Sequence, residues 1–150
     1  MHVAETDERS IIRNLLVGAG LPVDIVDDRK GDLWSFETNG RLIGCGAFEF
    51  YGTDALLRSV AVVEEQRGKG TGSLMVDLLE REAEARGVET IWLLTETAER
   101  FFRRKGFETV DRREVINKGL LDSAEFAHLC ASTAVCMRKH MKSTDVKGET

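Results

Sequence analysis

Between an apolar run, Leu56 to Val63, and an amphipathic stretch at about Gly72 to Arg86, the chain places a polar loop with glycine at alternate positions: Gly68, Gly70 and Gly72. A buried strand that passes through glycines into a helix restricts the fold more than any other part of the sequence, because it requires a sheet with a helix packed on it. Glycine lets main-chain N–H groups approach a ligand with no Cβ in the way. The start of a helix adds unbonded N–H donors and the positive end of the peptide dipoles. With Arg67 and Lys69 alongside, Arg67 to Gly72 has the makings of a cradle for a diphosphate. The competing reading is a glycine-rich turn with no ligand. Two other phosphate loops do not fit. A P-loop needs Lys and then Ser or Thr after its last glycine, whereas Gly70 is followed by Thr71. A dinucleotide fingerprint needs G-x-G-x-x-G, which Gly68-x-Gly70-x-Gly72 does not supply.

The flanking segments read as mixed α/β. His2 to Glu5 suits a short strand, with Thr6 or Asp7 as N-cap of a helix carrying Ile11, Ile12, Leu15 and Leu16 and ending at Gly18 and Gly20. Leu33 to Thr38 and Arg41 to Phe50 read as strands joined by Asn39-Gly40, a two-residue hairpin signal. Gly52-Thr53-Asp54 turns into the Leu56–Val63 strand. After the loop, Leu74, Met75, Leu78, Leu79 and Ala83 give a helix its apolar face, and Gly87 suits its C′ position. Thr90 to Thr95 is a strand, Ala98 to Lys105 a helix stopped by Gly106, and Glu108 to Arg112 a strand. Glu114 to Leu129 suits one or two short helices, and Thr133 to Arg138 a last strand. Residues 1–141 are expected to form one domain, with 142–150 as a polar, frayed tail.

Charge and cysteine usage narrow the function classes. A net charge of −5 argues against a nucleic-acid binder driven by a basic surface. No apolar run approaches the roughly 20 residues that span a bilayer, and Met1 to Asp7 lacks a signal peptide's apolar stretch. Cys45, Cys130 and Cys136 make an odd number with no C-x-x-C pair, so reduced thiols in a cytoplasm are expected and a structural zinc site is not.

Val60-Ala61-Val62, then Gln66-Arg67-Gly68-Lys69-Gly70-Thr71-Gly72, then Leu74, is similar to the acetyl-CoA motif of the GNAT acetyltransferases. Ala98 to Phe107 resembles that family's later helix and its Gly-Phe ending, and Arg41 to Arg138 can be laid on the family pattern. The resemblance implies an acyl-CoA N-acyltransferase fold, α/β (α+β), with a mixed, mostly antiparallel sheet splayed at its centre and flanked by helices. It implies acetyl-CoA as cosubstrate, a small-molecule amine as acceptor, and a homodimer as an unsurprising state. Gly44-Cys45-Gly46, Leu57 to Val62, Leu93 to Ala98, Phe107 to Arg112 and Ser123 to Met137 resemble more narrowly the arsenic-resistance N-acetyltransferases. That branch is similar to the acetyltransferase domain of N-acetylglutamate synthases. An amino-acid-like acceptor is implied, such as a glutamate analogue carrying arsenic or phosphorus.

By the same resemblance, backbone groups near Val60 and Val62 pair with the pantetheine arm, and the amides of Arg67, Gly68, Lys69, Gly70, Thr71 and Gly72 hold the diphosphate. A backbone N–H near Ala61 or Val62 faces the oxyanion. The sequence departs from the family at two places. Phe102, counted by the resemblance among the cofactor-binding residues, stands where many relatives have a tyrosine acid, and Leu56 where others have a glutamate base. Glu49 is the candidate base that remains, or else a solvated strand carboxylate. Tyr51, the only tyrosine, is the available phenolic acid, or else a core-edge aromatic. Arg58 interrupts a buried strand and needs an anion, either a substrate carboxylate or an internal Asp or Glu. Thr95 and Thr97 are placed to meet substrate and cofactor respectively, or else to cap a helix. Cys130 and Cys136 raise arsenite binding, against which Cys136 reads as a small apolar strand residue. Three rival functions stay open: a phosphate-loop nucleotide binder, a peptide acetyltransferase, and a non-catalytic sensor of acetyl-CoA or an amino acid on the same fold.

Overall fold

A computed structural model describes residues 1–6, 9–29, 31–129 and 133–141. Asp7, one of the two expected N-caps, Cys130, and the tail 142–150 lie outside the described residues. The chain divides into two compact units, one of Met1–Phe50 with Leu57–Arg81, the other of Tyr51–Leu56 with Glu82–Thr150.

In the first unit the strands run in the hydrogen-bonded order β1 (His2–Glu5), β2 (Asp32–Thr38), β3 (Arg41–Tyr51) and β4 (Asp54–Val62), the last residue of β3 and the first three of β4 falling in the other unit. β1 pairs antiparallel with β2, and β2 with β3. Asn39 and Gly40 close the β2–β3 hairpin with φ of 53° and 76°, so both central residues are left-handed as a type I′ turn demands. β3 is buried on both faces from Ile43 to Glu49, which is why it is built of small residues: Gly44, Cys45, Gly46 and Ala47.

Two helices cover these strands. α1 (Ser10–Gly18) buries Ile12 and Leu16, one turn apart, while Ile11 of the expected stripe is 60% exposed. Ile12 and Leu16 join Ile25, Leu33, Cys45, Ala47 and Ala61 in one apolar cluster. Full burial of a side chain such as Leu16 contributes about 1.5–3 kcal/mol. Thr6 does not cap α1. Its N–H extends the β1–β2 ladder by donating to Leu33 O at 2.8 Å, and Arg9 stands at the N-cap position with no side-chain cap bond. α2 (Asp24–Asp27) is a single turn that the sequence pattern does not foretell; its Ile25 is fully buried.

α3 (Thr71–Ala85) starts in the first unit, packed on the glycines of β3. A Cβ at Gly44 would lie 2.5 Å from Met75 Sδ and 2.8 Å from Ala61 O, and one at Gly46 would lie 2.5 Å from Leu79 Cδ1. Both separations at Gly44 are too short for real atoms, and Ala61 O belongs to the main chain. Gly44→Ala is therefore expected to lower stability by about 1–3 kcal/mol. Urea unfolding measures it, and a neutral result would show that Met75 swings aside instead of filling a seat. Leu74, expected on the apolar face, is 46% exposed; Met75, Val76, Leu79 and Ala83 are the buried residues of the helix.

In the second unit, the first three residues of β4 pair parallel with β5 (Thr90–Thr95), from Asp54↔Thr90 to Leu56↔Trp92. β5 pairs antiparallel with β7 (Val135–His140), and β7 with β6 (Glu108–Val110). The short helices are α4 (Glu99–Arg104) and α5 (Lys118–Leu121), followed by a π-helical turn at Glu125–Leu129. Glu108 to Arg112 thus divides into a three-residue strand and a 3₁₀ turn, Arg112–Glu114. Leu56, Trp92, Val115, Leu120 and Cys136 form the core, with Tyr51 packed at its edge. Asn117 ties α5 to the β3–β4 turn: its Nδ2 donates to Tyr51 O at 2.8 Å and to Asp54 Oδ2 at 3.0 Å. Asp54 Oδ1 also accepts from Trp92 Nε1 at 2.9 Å. Within this unit the parallel β4–β5 pair adjoins the antiparallel β5–β7 and β6–β7 pairs, so the pairing is mixed as expected.

Candidate functional site

The loop after β4 takes the form its glycines suggest. Glu64–Gln66 makes a 3₁₀ turn, Arg67 is extended, and Gly68 and Gly70 have φ of 79° and 78°. Left-handed glycines near extended or right-handed neighbours turn successive N–H groups toward one side, the arrangement that holds anions in nests. A Cβ at either glycine would meet nothing within 4 Å, so their outer side is open. The first bond of the helical ladder runs from Leu74 N to Gly70 O at 3.2 Å, so the amides of Thr71 and Gly72 precede it. The α3 helix begins at Thr71, one residue before the expected start. Arg67 and Lys69 are exposed, and Arg67 Nε donates to Val62 O at 3.1 Å, which folds its side chain back along the end of β4. Thr71 Oγ1 donates to Gln66 Oε1 at 3.4 Å and closes the loop on itself. Bare amides, two cations and a helix start suit a diphosphate.

Just upstream, Ser59 has φ of 60° in mid-strand, a costly conformation for a residue with a Cβ. Ser59 O accepts from Cys45 Sγ at 3.3 Å. The kink lies immediately before Val60, Ala61 and Val62, of which Ala61 is buried and the other two half-buried. The sequence contains no glycine or Asn at position 59 to signal it.

Arg58 and Glu49 come together. Arg58 Nη1 donates to Glu49 Oε2 at 2.6 Å. The same nitrogen donates to Asp24 Oδ2 at 2.8 Å, and Nη2 donates to Asp24 Oδ1, so Asp24 grips the guanidinium in bidentate fashion. The side chains of Arg58, Asp24 and Glu49 are 0%, 10% and 7% exposed. Of the two anion sources open to Arg58, the structure contains the internal one. Asp24 lies 34 residues away on a helix the sequence does not announce, so its part is not legible from spacing.

In the second unit, Thr95 Oγ1 accepts from Ala98 N at 3.0 Å, a capping bond at the start of α4. Thr97 is exposed. Phe102 is 7% exposed and meets Phe101 and Phe107 edge-to-face at ring-centre distances of 5.0 and 5.4 Å. Tyr51 packs as a core-edge aromatic. Burial pushes the Cys45 and Cys136 thiols up, to about 12 and about 11, and so keeps them protonated and unreactive near neutrality. Among the described residues no group of three or more His, Cys, Asp or Glu could hold a metal ion, and no helix is long and apolar enough to cross a membrane.

Comparison with known proteins gives the family and the fold. The family described as "Acetyltransferase (GNAT) domain" matches residues 29–109. An uncharacterized N-acetyltransferase of Chlorobaculum tepidum is 37% identical over 91 residues, 60% of this chain and 58% of its own length. An amino-acid acetyltransferase of Pseudomonas fluorescens is 35% identical over 74 residues, 48% of this chain. The match spans only 17% of that relative's length. Among solved structures, N-acetylglutamate synthase from Neisseria gonorrhoeae, complexed with coenzyme A and L-arginine, matches with a TM-score of 0.77 at 15% identity. That match covers 95% of this chain and 33% of the synthase chain.

Proposed function

Because this chain belongs to the GNAT acetyltransferase family and has its fold, we propose that it transfers an acetyl group from acetyl-CoA to the amine of a small, amino-acid-like molecule. The observation that carries this reading is the loop Arg67 to Gly72, whose left-handed glycines and open outer side lead into the start of α3. The amino-acid part rests on the likeness to an amino-acid acetyltransferase and to N-acetylglutamate synthase. A glutamate analogue carrying phosphorus or arsenic is the finer candidate. The free, buried thiols of Cys45 and Cys136 suit the reducing conditions of a cytoplasm.

In this reading the amides of Gly68, Gly70, Thr71 and Gly72 hold the diphosphate, with Arg67 and Lys69 supplying charge. Main-chain groups of Val60 and Val62 hold the pantetheine arm, and a neighbouring N–H, of Ala61 or Val62, faces the oxygen on which negative charge develops. Acetyl-CoA, when bound, supplies the activated acyl group. Glu49, held by Arg58, takes the proton of the attacking amine through water. Thr95 and Thr97 line the approach to α4 by their hydroxyls. With phenylalanine at 102, no phenol at that position hands a proton to the departing thiolate. Thiolate is a stable leaving group, and its protonation is left to solvent.

The test follows free CoA over a panel of amines that includes glutamate and its phosphinic and arsinic analogues. CoA release that depends on one amine class is the expected result. Acetyl-CoA uptake with no release for any amine would instead mark a sensor, as the missing tyrosine and glutamate allow. No uptake at all would remove the cofactor assignment.

A further inference from the structure

We propose that Cys45 is a positioning residue for acyl transfer: its thiol sits in the kink of β4, holds Ser59 O and the Ala61 N–H toward β3, and so turns the alternate N–H, that of Val62, outward to the acyl oxygen. This role rests on the transferase reading above, and it decides between the two amides, of Ala61 and Val62, that the reading leaves open. Every residue concerned belongs to one unit.

Ser59 is buried and has φ of 60°, a conformation that a residue with a Cβ keeps only where its surroundings impose it. Its own side chain does not supply the hold, because the hydroxyl is buried with no hydrogen-bond partner among the described residues. Its main chain is held instead: Cys45 Sγ donates to Ser59 O at 3.3 Å. The same sulfur meets β4 again at Ala61. A main-chain hydrogen bond from Ala61 works against the burial that pushes the thiol up to about 12. A bond that opposes such a rise favours the charged sulfur, so the Ala61 N–H is the donor. One side chain thus takes a carbonyl and an amide of the kinked strand, one on either side of Val60. Cys45 is fully buried, in the same apolar cluster as Ala61, so water is not at hand to replace it. Sulfur is a weak partner, yet an unanswered main-chain group in the interior is costly.

The direction of the next amides follows from strand alternation. Val63 N donates to Ile43 O at 2.9 Å, so the N–H at 63 faces β3, and that of Ala61 faces it through Cys45. The Val62 N–H, between them, points to the other edge of β4. There the β4–β5 pairing runs only from Asp54 to Leu56, so Val62 has no ladder partner on that edge among the described residues. Of the two candidate amides, Ala61 is occupied by the thiol and Val62 is presented.

The experiment compares Cys45→Ala and Cys45→Ser with the wild type, each as the full chain. Serine keeps a donor and an acceptor at the same place, and alanine keeps neither. Cys45→Ala is expected to lower kcat roughly tenfold with KM for the amine unchanged. The loss is smaller than that of an oxyanion donor outright, since the amide is displaced and not removed. Cys45→Ser is expected to recover most of kcat. Equal losses in the two variants, no loss in Cys45→Ala, or a rise in KM alone overturns the role. Amide hydrogen exchange at Ala61 gives a readout independent of turnover. Slow exchange in the wild type and in Cys45→Ser, and exchange roughly tenfold faster or more in Cys45→Ala, is expected; one rate in all three overturns the clamp. Cys45→Val, which fills the space of the thiol and makes neither bond, takes the place of the alanine variant where that one does not fold, with the same outcomes. Should the exchange pattern hold while no amine releases CoA from the wild type, the transferase reading fails and the clamp stands. Should Cys45→Ala release CoA as fast as the wild type, the positioning role fails and the transferase reading stands.

Discussion

Arg58→Ala is expected to lower folding stability by about 3–5 kcal/mol, since it leaves two carboxylates in the interior without their shared cation. Asp24 and Glu49 are 10% and 7% exposed at their side chains, so water does little to screen them from each other. The Coulomb term is steep because the pair is withdrawn from bulk solvent. Equilibrium unfolding in urea measures the loss. A triple variant, Arg58→Met with Asp24→Leu and Glu49→Met, separates charge from volume. Replacing a buried ion network by apolar residues of similar size is often neutral or stabilising, so the triple variant is expected to recover most of what Arg58→Ala loses. A loss below about 1 kcal/mol in Arg58→Ala, the range of exposed pairs, would show that the three groups are solvated in solution.

Gly70→Val is expected to weaken acetyl-CoA binding roughly 100-fold, which corresponds to about 3 kcal/mol and the loss of one or two charge-assisted hydrogen bonds. At φ of 78° a β-branched residue is strained, and the loop would rotate its amides to escape. Gly40→Val supplies the control. Gly40 has nearly the same φ, 76°, and equally open surroundings, but it sits at the tip of the β2–β3 hairpin. It should suffer similar backbone strain and keep its affinity for the cofactor. Calorimetric titration of both variants decides the matter: equal affinities would mean that the diphosphate does not rest on this loop.

The parts of the molecule legible in the sequence are those whose signal is local. Asn39-Gly40 specifies its own hairpin because both residues tolerate left-handed geometry, and Thr90–Thr95 stands out by its apolar run Ile91 to Leu94. The glycine loop is legible for the same reason: its φ values of 79° and 78° are ones that glycine alone adopts freely. What is hidden depends on partners far along the chain. α2 has four residues, a cap without a side-chain bond, and no helical period to betray it. Its Asp24 explains Arg58, yet only the tertiary fold brings the two together. Thr6 looks like a cap by composition but is drawn into the β1–β2 ladder through Leu33, a competition that propensity cannot decide. Leu74 fits the apolar period and is still exposed, because the face of α3 is set by the glycine gaps in β3 and not by its own sequence.

Those gaps in β3 have a mechanical meaning. Met75 and Leu79, one turn apart, plug into the sheet at Gly44 and Gly46 like two pins on one key, so the forward half of α3 can neither slide nor roll without lifting out. Arg67, Gly68, Lys69 and Gly70 ride at the tip of that locked shaft, all exposed. The tip can therefore be rewritten, Lys69 to glutamate or Arg67 to serine, to change what it attracts while the bearing beneath stays where it is.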